Sequence, residues 1–464
     1  MAETQPMPVH LGRHLAAHQS GPLTQELAEN SFLEMAPPDS KFPYILQRTS
    51  GLTAFVKPGA TAPVRGITHV DNYVYTVIGD TLYRVSQSGA FDNLGHIADV
   101  GQVRMSMRGA NSDYIWIGTA STAYAANASN LLALSNAQRL VGIDQQDGYM
   151  LGVERSSNKL WRSTLDDPTT VSALGFTTVD TYGDDVVGMV SQGRQPLVFK
   201  QLSIEAFYND GSAKVFSRTE VVARGCAAGD SIVKDTTGVY FLGEDLLVYR
   251  LVGYQAQAIS TETVARLIQA QVSPQTAVGW MYQEAGHTFY ILSFSGLTLS
   301  YDLNTSLWSK RVSHGRDNWR VSCHVWVPGW RKHVVGDVAS GDLMFLDPEA
   351  HNEMDDPLRW RVTAPPMWNN THRTSVAEFI ADIETGVSTT AGVEPEVVLD
   401  WSNNGGKTYQ GGIARGFGAP GEYNKRVRWG SLGAHESWTP RLTVVDDVPV
   451  RCAGAYVRAT RLAA

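Results

Sequence analysis

The 464-residue chain has little of several features that mark common protein classes. It contains only 3 cysteines, Cys226, Cys323 and Cys452, which stand far apart and form no C-x-x-C pair. Their number and spacing exclude a disulfide framework and a cysteine-based zinc site. No apolar run reaches the roughly 18 residues of a transmembrane helix, and the first residues have neither the basic start nor the apolar core of a secretory signal. We therefore expect a soluble protein made in a reducing compartment, with no stable membrane insertion.

Positive charge is also scarce. The chain has 38 Lys and Arg against 46 Asp and Glu, a formal net charge of −8. Because phosphate binding draws on an excess of Lys and Arg, this balance excludes a general nucleic-acid coat. Residues 352–464 hold 12 basic and 13 acidic residues, so most of the negative charge belongs to residues 1–351.

The sequence is rich instead in residues typical of short strands and turns. Gly 43 and Pro 20 interrupt it without a fixed period, and Trp 12, Tyr 18 and Phe 14 favour strands. Residues 73–78, the turn Gly79-Asp80 and residues 81–85 form a hairpin pattern. Similar units recur roughly 35 to 50 residues apart, which is the spacing of propeller blades. The pattern predicts a β-propeller and leaves the number of blades open.

These patterns divide the chain into three parts and predict an all-β fold. Pro37, Pro38 and Pro43 hold the chain extended, so residues 1–50 are predicted to form an extended N-terminal arm. Residues 51–351 are predicted to form the β-propeller. After the breaks at residues 355–366, residues 352–464 are predicted to form a β-sandwich-like domain.

One helix and one group of histidines stand out from the strand pattern. Ser260 is a plausible N-cap for a helix that ends before Pro274. His10, His14 and His18 would share one face of a helix, but no carboxylate stands near them to complete a metal site. No nucleophile–base motif is recognisable either. We therefore expect no metal, no cofactor and no catalytic residues.

The segment 308–333 carries the strongest positive charge. Its basic residues are interleaved with four tryptophans and are Lys310, Arg311, Arg316, Arg320, Arg331 and Lys332. Basic and aromatic residues in alternation can form a nucleic-acid groove. Tryptophan and arginine are equally enriched at protein interfaces, and strand alternation would place many of these side chains on opposite faces. We take these six residues as candidate interface or DNA-channel contacts, and a packed blade with an exposed basic edge is the alternative.

A second motif resembles the Asp-box turn of sialidases and other propellers, in which a short polar side chain stabilises a tight hairpin. Its residues here are Ser402, Asn404, Gly406, Thr408 and Tyr409. The box is structural in those families and lies away from catalysis. A glycosidase would also need paired carboxylates across a sugar subsite, and the adjacent acids of this chain look like turn residues.

Several longer stretches together resemble the packaged-DNA stabilisation or tail-hub (nozzle) family of short-tailed bacteriophages. They are Phe42-Pro-Tyr-Ile-Leu46, Gly225-Cys-Ala-Ala-Gly-Asp-Ser-Ile232, Tyr301-Asp-Leu-Asn-Thr-Ser-Leu-Trp308 and Asp400-Trp-Ser-Asn-Asn-Gly-Gly-Lys-Thr408. The resemblance covers most of the chain beyond residue 40.

This resemblance implies a structural protein of the virion tail that is assembled in the bacterial host cytoplasm. Its implied partners are further copies of itself in a hexameric ring, the portal-adaptor (head-to-tail connector) protein, a tailspike or fibre, and a tail needle or plug, with transient passage of double-stranded DNA. Such a ring extends the DNA channel and helps to retain the packaged genome. The alternative is a propeller carbohydrate-active enzyme or lectin, sialidase-like, that acts on host surface glycans.

Overall fold

A computed structural model of the chain shows how these sequence patterns fold. It describes residues 6–13, 15–17, 25–59, 61–107, 113–155, 157–212, 214–369, 372–388 and 393–462. Apart from one α-helix and two 3₁₀ turns, the regular structure in these ranges is β-strand. The all-β prediction is confirmed.

Five separate antiparallel sheets of four strands follow one another along the chain. We name them blades 1 to 5. Blade 1 contains Val64–Val70, Tyr73–Ile78, Thr81–Ser86 and Phe91–His96; blade 2 contains Arg104–Met107, Ile115–Gly118, Ala123–Ala126 and Leu131–Ala133. Blade 3 contains Leu140–Gln146, Tyr149–Glu154, Lys159–Arg162 and Phe176–Thr178; blade 4 contains Val186–Gln192, Gln195–Lys200, Ile204–Asn209 and Phe216–Val222. Blade 5 contains Val233–Asp235, Gly238–Leu242, Val248–Val252 and Gln255–Ala258. The hairpin predicted at Gly79-Asp80 lies in blade 1, where Ile78 pairs with Thr81.

Two further blades complete the propeller. Blade 6 contains Val278–Glu284, His287–Phe294, Leu297–Asp302 and Leu307–Lys310. Blade 7 contains Val321–Val327, Lys332–Asp337 and Leu343–Asp347, and its fourth strand is Gly51–Val56 from the start of the propeller. The first strand of each blade contacts that of the next, and blade 7 contacts blade 1. The described part of the chain therefore forms a closed ring of seven blades, in which Gly51–Val56 joins the two ends of the propeller.

The predicted helix lies between blades 5 and 6. It spans Glu262–Gln269, and Thr261 is its N-cap, since the Thr261 hydroxyl accepts a hydrogen bond from Val264 N at 3.3 Å. The choice of Ser260 as N-cap was wrong by one residue, because two neighbouring hydroxyl side chains offer the same signal. The 3₁₀ turns are Gly229–Ser231 and Pro274–Thr276.

The C-terminal part forms two facing sheets around one core, as predicted. The strands of the first sheet are Met7–Val9, Ser31–Met35, Tyr44–Arg48, Thr374–Ile383, Val427–Gly430, Ala434–His435 and Arg451–Arg461. Those of the second are Ala16–Ala17, Gln25–Glu29, Trp360–Thr363, Met367–Trp368, Glu396–Ser402, Gln410–Gly416 and Ser437–Val444. Large side chains such as Trp360, Phe379 and Trp429 are fully buried between the two sheets.

The described residues of the predicted arm belong to the sandwich and pair with it. Met7–Val9 and Tyr44–Arg48 pair with Arg451–Arg461, while Gln25–Glu29 pairs with Trp360–Thr363. The prolines do keep parts of this segment extended. However, an extended chain with alternating apolar side chains is also a strand, and the sandwich offers the partner strands that the sequence pattern could not reveal.

The same N-terminal segment also joins the two domains. Glu29 pairs in parallel with Lys310 of blade 6, so that the second sandwich sheet continues into that blade. Asn30 follows at φ 49° and is fully buried. Its side chain donates to Val312 O and Arg359 O, both at 2.8 Å, and accepts from Val312 N at 3.0 Å. The short strands Asn352–Glu353 and Asp356–Pro357 extend the sheet of blade 7.

Candidate functional site

Arg311, one of the six predicted site residues, is buried in the core. Its guanidinium lies 4.0 Å from the centre of the Trp319 ring and donates to Tyr282 Oη at 3.1 Å and to Ser50 O at 3.3 Å. Burial raises the pKa of Glu284 and of Glu353, and the Arg311 charge opposes both shifts. With no exposed surface, Arg311 cannot contact DNA or a partner.

Two more of the six candidates are engaged inside the protein. Lys310 is half-buried, its backbone oxygen accepts from Asn30 N at 2.8 Å, and burial lowers the pKa of its amine. Arg320 pairs with Asp337 at 2.7 Å and with Asp356 at 3.2 Å. Lys310 is therefore partly withdrawn from solvent, and the positive charge of Arg320 is paired with two aspartates.

The remaining three candidates are exposed but lie apart. Arg316 is in the connection from blade 6 to blade 7 and donates to Asn318 Oδ1 at 3.1 Å. Arg331 and Lys332 are at the first hairpin turn of blade 7, where Arg331 has φ 51°. The connection and the hairpin lie at opposite ends of the first strand of blade 7. Since Trp308, Trp319 and Trp330 are buried as well, the segment does not form one basic and aromatic surface.

The Asp-box-like turn joins Glu396–Ser402 to Gln410–Gly416, as its pattern indicates. Ser402 Oγ accepts from Gly406 N at 2.8 Å and Asn404 Oδ1 accepts from Thr408 N at 2.9 Å, while Gly406 adopts φ 81°. Tyr409 packs under Arg441, whose guanidinium lies 3.5 Å from the ring centre. The side chains of this turn are therefore used to hold the hairpin itself.

Charged side chains meet across the axis of the propeller. Arg104 of blade 2 pairs with Asp230, which leads into blade 5, at 2.6 Å, and Lys234 of blade 5 pairs with Asp144 of blade 3 at 2.5 Å. Burial raises the pKa of the Asp230 carboxyl, and Arg104 opposes this shift. Because blades 2 and 5 are not neighbours, the Arg104–Asp230 contact crosses the centre of the ring. A double helix cannot pass through a bore that two side chains close.

A groove lined by several basic side chains lies on the first sandwich sheet. It has a volume of about 1000 Å³, and we call it the sandwich groove. Its basic side chains are Lys41, Lys425, Arg426, Arg451 and Arg458, against the acids Asp382 and Glu384. Ile45, Ile380 and Tyr456 also line it, and Tyr423 stands beside them with 73% of its surface exposed.

Charge counting along the sequence missed this groove. Its basic residues come from three separated segments, none of which holds as many cations as the six of segment 308–333. Strand pairing brings these cations close together. In the first sandwich sheet Arg458 lies opposite Glu378 of the neighbouring strand Thr374–Ile383, and Arg428 lies on Val427–Gly430, which pairs with the other edge of that strand. The alternation of residues 425–428, with three exposed cations around buried Val427, is the signal that could have indicated it.

The three cysteines are buried and unpaired with one another. Burial raises the pKa of Cys226, of Cys323 and of Cys452, to about 12, about 11 and about 12, so these buried thiols stay protonated. Within the described ranges no group of three or more His, Cys, Asp or Glu is placed to hold a metal ion. His14 and His18 lie outside the described residues. In the same ranges no helix is long and apolar enough to cross a membrane.

The described residues thus form a seven-bladed propeller with a closed axis, joined to a β-sandwich that carries an exposed groove. Two family models match the chain: "Bacteriophage P22 Gp10, beta-propeller" over residues 7–351, and "Bacteriophage P22 Gp10, beta-sandwich" over residues 359–460. The chain belongs to this family of bacteriophage DNA-stabilisation and tail-hub proteins. The sequence-based resemblance is confirmed.

Two solved structures are among those that match the chain. The crystal structure of the N-terminal domain of Nup159 matches with 10% identity and a TM-score of 0.42, over 69% of this chain and 98% of that one. A chain of the mitotic checkpoint complex matches with 11% identity and a TM-score of 0.43, over 68% and 98%. At this level neither bears on the function of the chain. No curated protein sequence matches.

Proposed function

We propose that the protein is the subunit of a ring in the virion tail, below the portal and its adaptor. The ring, which we expect to be hexameric, extends the DNA channel, helps to retain the packaged genome, and carries docking surfaces for a tailspike or fibre and for the needle that plugs the tail. This role is structural and involves no turnover and no cofactor.

The observation that carries the proposal is the match of both domains to one family of phage tail structural proteins. The closed propeller axis adds a constraint. Since Arg104 and Asp230 fill the centre of each propeller, a DNA path needs a channel between subunits. A ring of copies provides such a channel, and head-to-tail contacts between identical subunits close into rings.

The net charge of the chain fits a channel through which DNA passes. Each phosphate that a protein neutralises adds affinity through released counterions, so a strongly basic wall would hold DNA and slow its passage. The net charge of −8, together with the burial of Arg311 and the pairing of Arg320, favours weak contact with DNA over tight binding.

The test compares virions that contain and lack the protein. We expect particles without it to package DNA and then lose it, and purified protein to restore retention. A sixfold-averaged electron microscopy map of the restored tail should show a ring below the portal and adaptor.

Two results would overturn the proposal. One is DNA retention in particles that lack the protein. The other is a tail map without such a ring. Cleavage of host polysaccharide by the purified protein would favour the carbohydrate-active alternative instead.

A further inference from the structure

A second exposed surface, on blades 3 and 4, has the opposite charge to the sandwich groove. The connection between these blades, residues 180–185, exposes Asp180, Tyr182 and Asp185, and Leu202 stands beside it with 64% of its surface exposed. Hydrogen bonds join the two segments, because Leu202 N donates to Asp184 Oδ2 at 2.7 Å and Gln201 N donates to Asp185 O at 3.0 Å. We call this surface the acidic knob.

The acidic knob is held from below by a buried lysine. Lys200 is fully buried and pairs with Asp184 at 3.1 Å and with Glu205 at 3.5 Å. Its amine also donates to the backbone oxygens of Tyr182 and Val179. These bonds fix the loop that presents Tyr182, so a partner would meet a preorganised surface and lose little conformational entropy by binding.

The acidic knob and the sandwich groove lie at opposite ends of the protein. The sandwich is attached to blades 6 and 7, through Glu29 beside Lys310 and through Glu353 beside Leu52. In a ring of seven blades, blade 3 lies across the axis from blades 6 and 7. Two different surfaces at opposite ends are the arrangement that a head-to-tail contact between identical subunits requires.

The two surfaces are also complementary in chemistry. Four of the five basic side chains of the groove pair with carboxylates, Lys41 with Asp382, Lys425 with Glu394, Arg451 with Glu384 and Arg458 with Glu378, whereas Arg426 has no such pair among the described residues. The knob exposes two aspartates, of which Asp180 is 3.4 Å from Arg218. Both surfaces expose apolar or aromatic side chains, Tyr182 and Leu202 on one and Tyr423 on the other. Tyrosine and arginine at the centre of a contact commonly dominate binding energy, and opposite charges fix its orientation.

We propose that the acidic knob of one copy docks in the sandwich groove of the next copy. This inference rests on the proposed ring and names the contact that closes it. Tyr182 and Leu202 fill the groove beside Tyr423, and the positive lining of the groove, Arg426 above all, faces Asp185.

The first experiment is a crosslink between two full-length variants, Leu202→Cys and Tyr423→Cys, mixed and assembled on portal–adaptor complexes. All three native cysteines are buried, so the introduced thiols are the reactive ones. We expect crosslinked dimers from this mixture. The matched control replaces Leu202→Cys by Leu174→Cys, which is 83% exposed in the third-to-fourth strand connection of blade 3. This control should give about tenfold less crosslink, because proximity alone sets the yield.

The second experiment exchanges charges on the same surfaces. Asp185→Arg or Arg426→Glu alone should lower the yield of rings by about tenfold, and the two together should restore most of it. Both residues are exposed, so we expect unchanged melting temperatures. Rings that form with no excess crosslink over the Leu174→Cys control would overturn the inference and leave the proposed function standing. Absence of any ring would contradict both.

Discussion

Two basic regions of this protein differ in what their charges do. In segment 308–333, which is the most basic part of the sequence, Arg311 is buried and Arg320 is paired with two aspartates. In the sandwich groove, whose cations come from separate segments of the sequence, Arg426 is exposed and has no ion pair among the described residues, while Arg451 and Arg458 are exposed and pair with Glu384 and Glu378. The comparison shows that a cluster of cations in sequence can serve the interior, while strand pairing can build a basic surface from dispersed residues.

The largest expected effect comes from removing the buried cation of the first region. Arg311→Ala should lower the free energy of unfolding by about 3–5 kcal/mol, because it leaves buried Glu284 and Glu353 without their cation. Chemical denaturation measures this effect. Arg316→Ala, in the same segment but exposed, should stay within about 0.5 kcal/mol of the native protein. Equal effects of the two variants would contradict the assignment of Arg311 to the interior.

The second prediction concerns Asn30, which follows the strand Gln25–Glu29 and hydrogen-bonds to Val312 of segment 308–333. Asn30→Ala removes three buried hydrogen bonds to Val312 and Arg359 and should cost roughly 2–3 kcal/mol, at about 1 kcal/mol each. Limited proteolysis should then cut the domain junction faster. Asn136→Ala, which loses a hydrogen bond to Val171 O, is the milder control. If the junction of the Asn30 variant stays as resistant as that of the control, the segment does not join the domains as described.

The third prediction is a pH dependence of folding stability that two histidines at or near the end of segment 308–333 cause. Burial lowers the pKa of His324 to about 3 and of His333 to about 4, and their rings are joined by a 2.8 Å hydrogen bond. In the unfolded chain both would titrate near their ordinary value of about 6.5. The unfolded state thus binds more protons between these values, and stability should fall as the pH is lowered from about 6.5 towards 4.

Melting temperatures of two variants test this dependence. His333→Asn should remove roughly half of the acid sensitivity that the pair contributes. Gln87→Asn, at an exposed position that carries no titratable side chain, should leave the pH profile unchanged. Identical profiles for the native protein and the His333 variant would show that the pair does not stay neutral in the folded state.

The smallest effects on stability are expected for exposed arginines of the two regions. Arg331→Ala and Arg426→Ala should each change the free energy of unfolding by no more than about 0.5 kcal/mol. Assembly should separate them, with only Arg426→Ala lowering the yield of rings in electron micrographs. If Arg331→Ala impairs assembly and Arg426→Ala does not, the functional contrast between the regions is reversed.

Much of the fold could be predicted because local patterns determine it. Alternation and turn residues predicted the hairpin at Gly79-Asp80, and the strands after residue 352 followed the same logic. The strands Met7–Val9 and Gln25–Glu29 were missed because their partners are more than 300 residues away. Pairing over such distances leaves no periodic signal in the sequence.

The candidate site was harder to predict, for a related reason. Six cations within residues 308–333 suggested a basic surface. The direction of each side chain is instead determined by its position on a strand or turn. Arg311 lies in the interior, where it packs on the Trp319 ring and its charge acts on Glu353. The sandwich groove could not be predicted for the opposite reason, because its residues are far apart in the sequence and only the fold brings them together. Charge counts carry information about the surface only once the pairing of strands is known.

The most direct test of this account is amide hydrogen exchange, measured on the free protein and on the protein in assembled tails. Residues 308–313 should exchange slowly in both, because they are already part of the interior. Residues 180–185 and 421–428 should exchange quickly in the free protein and become protected on assembly. Protection of residues 308–313 on assembly, with residues 421–428 unchanged, would contradict the account.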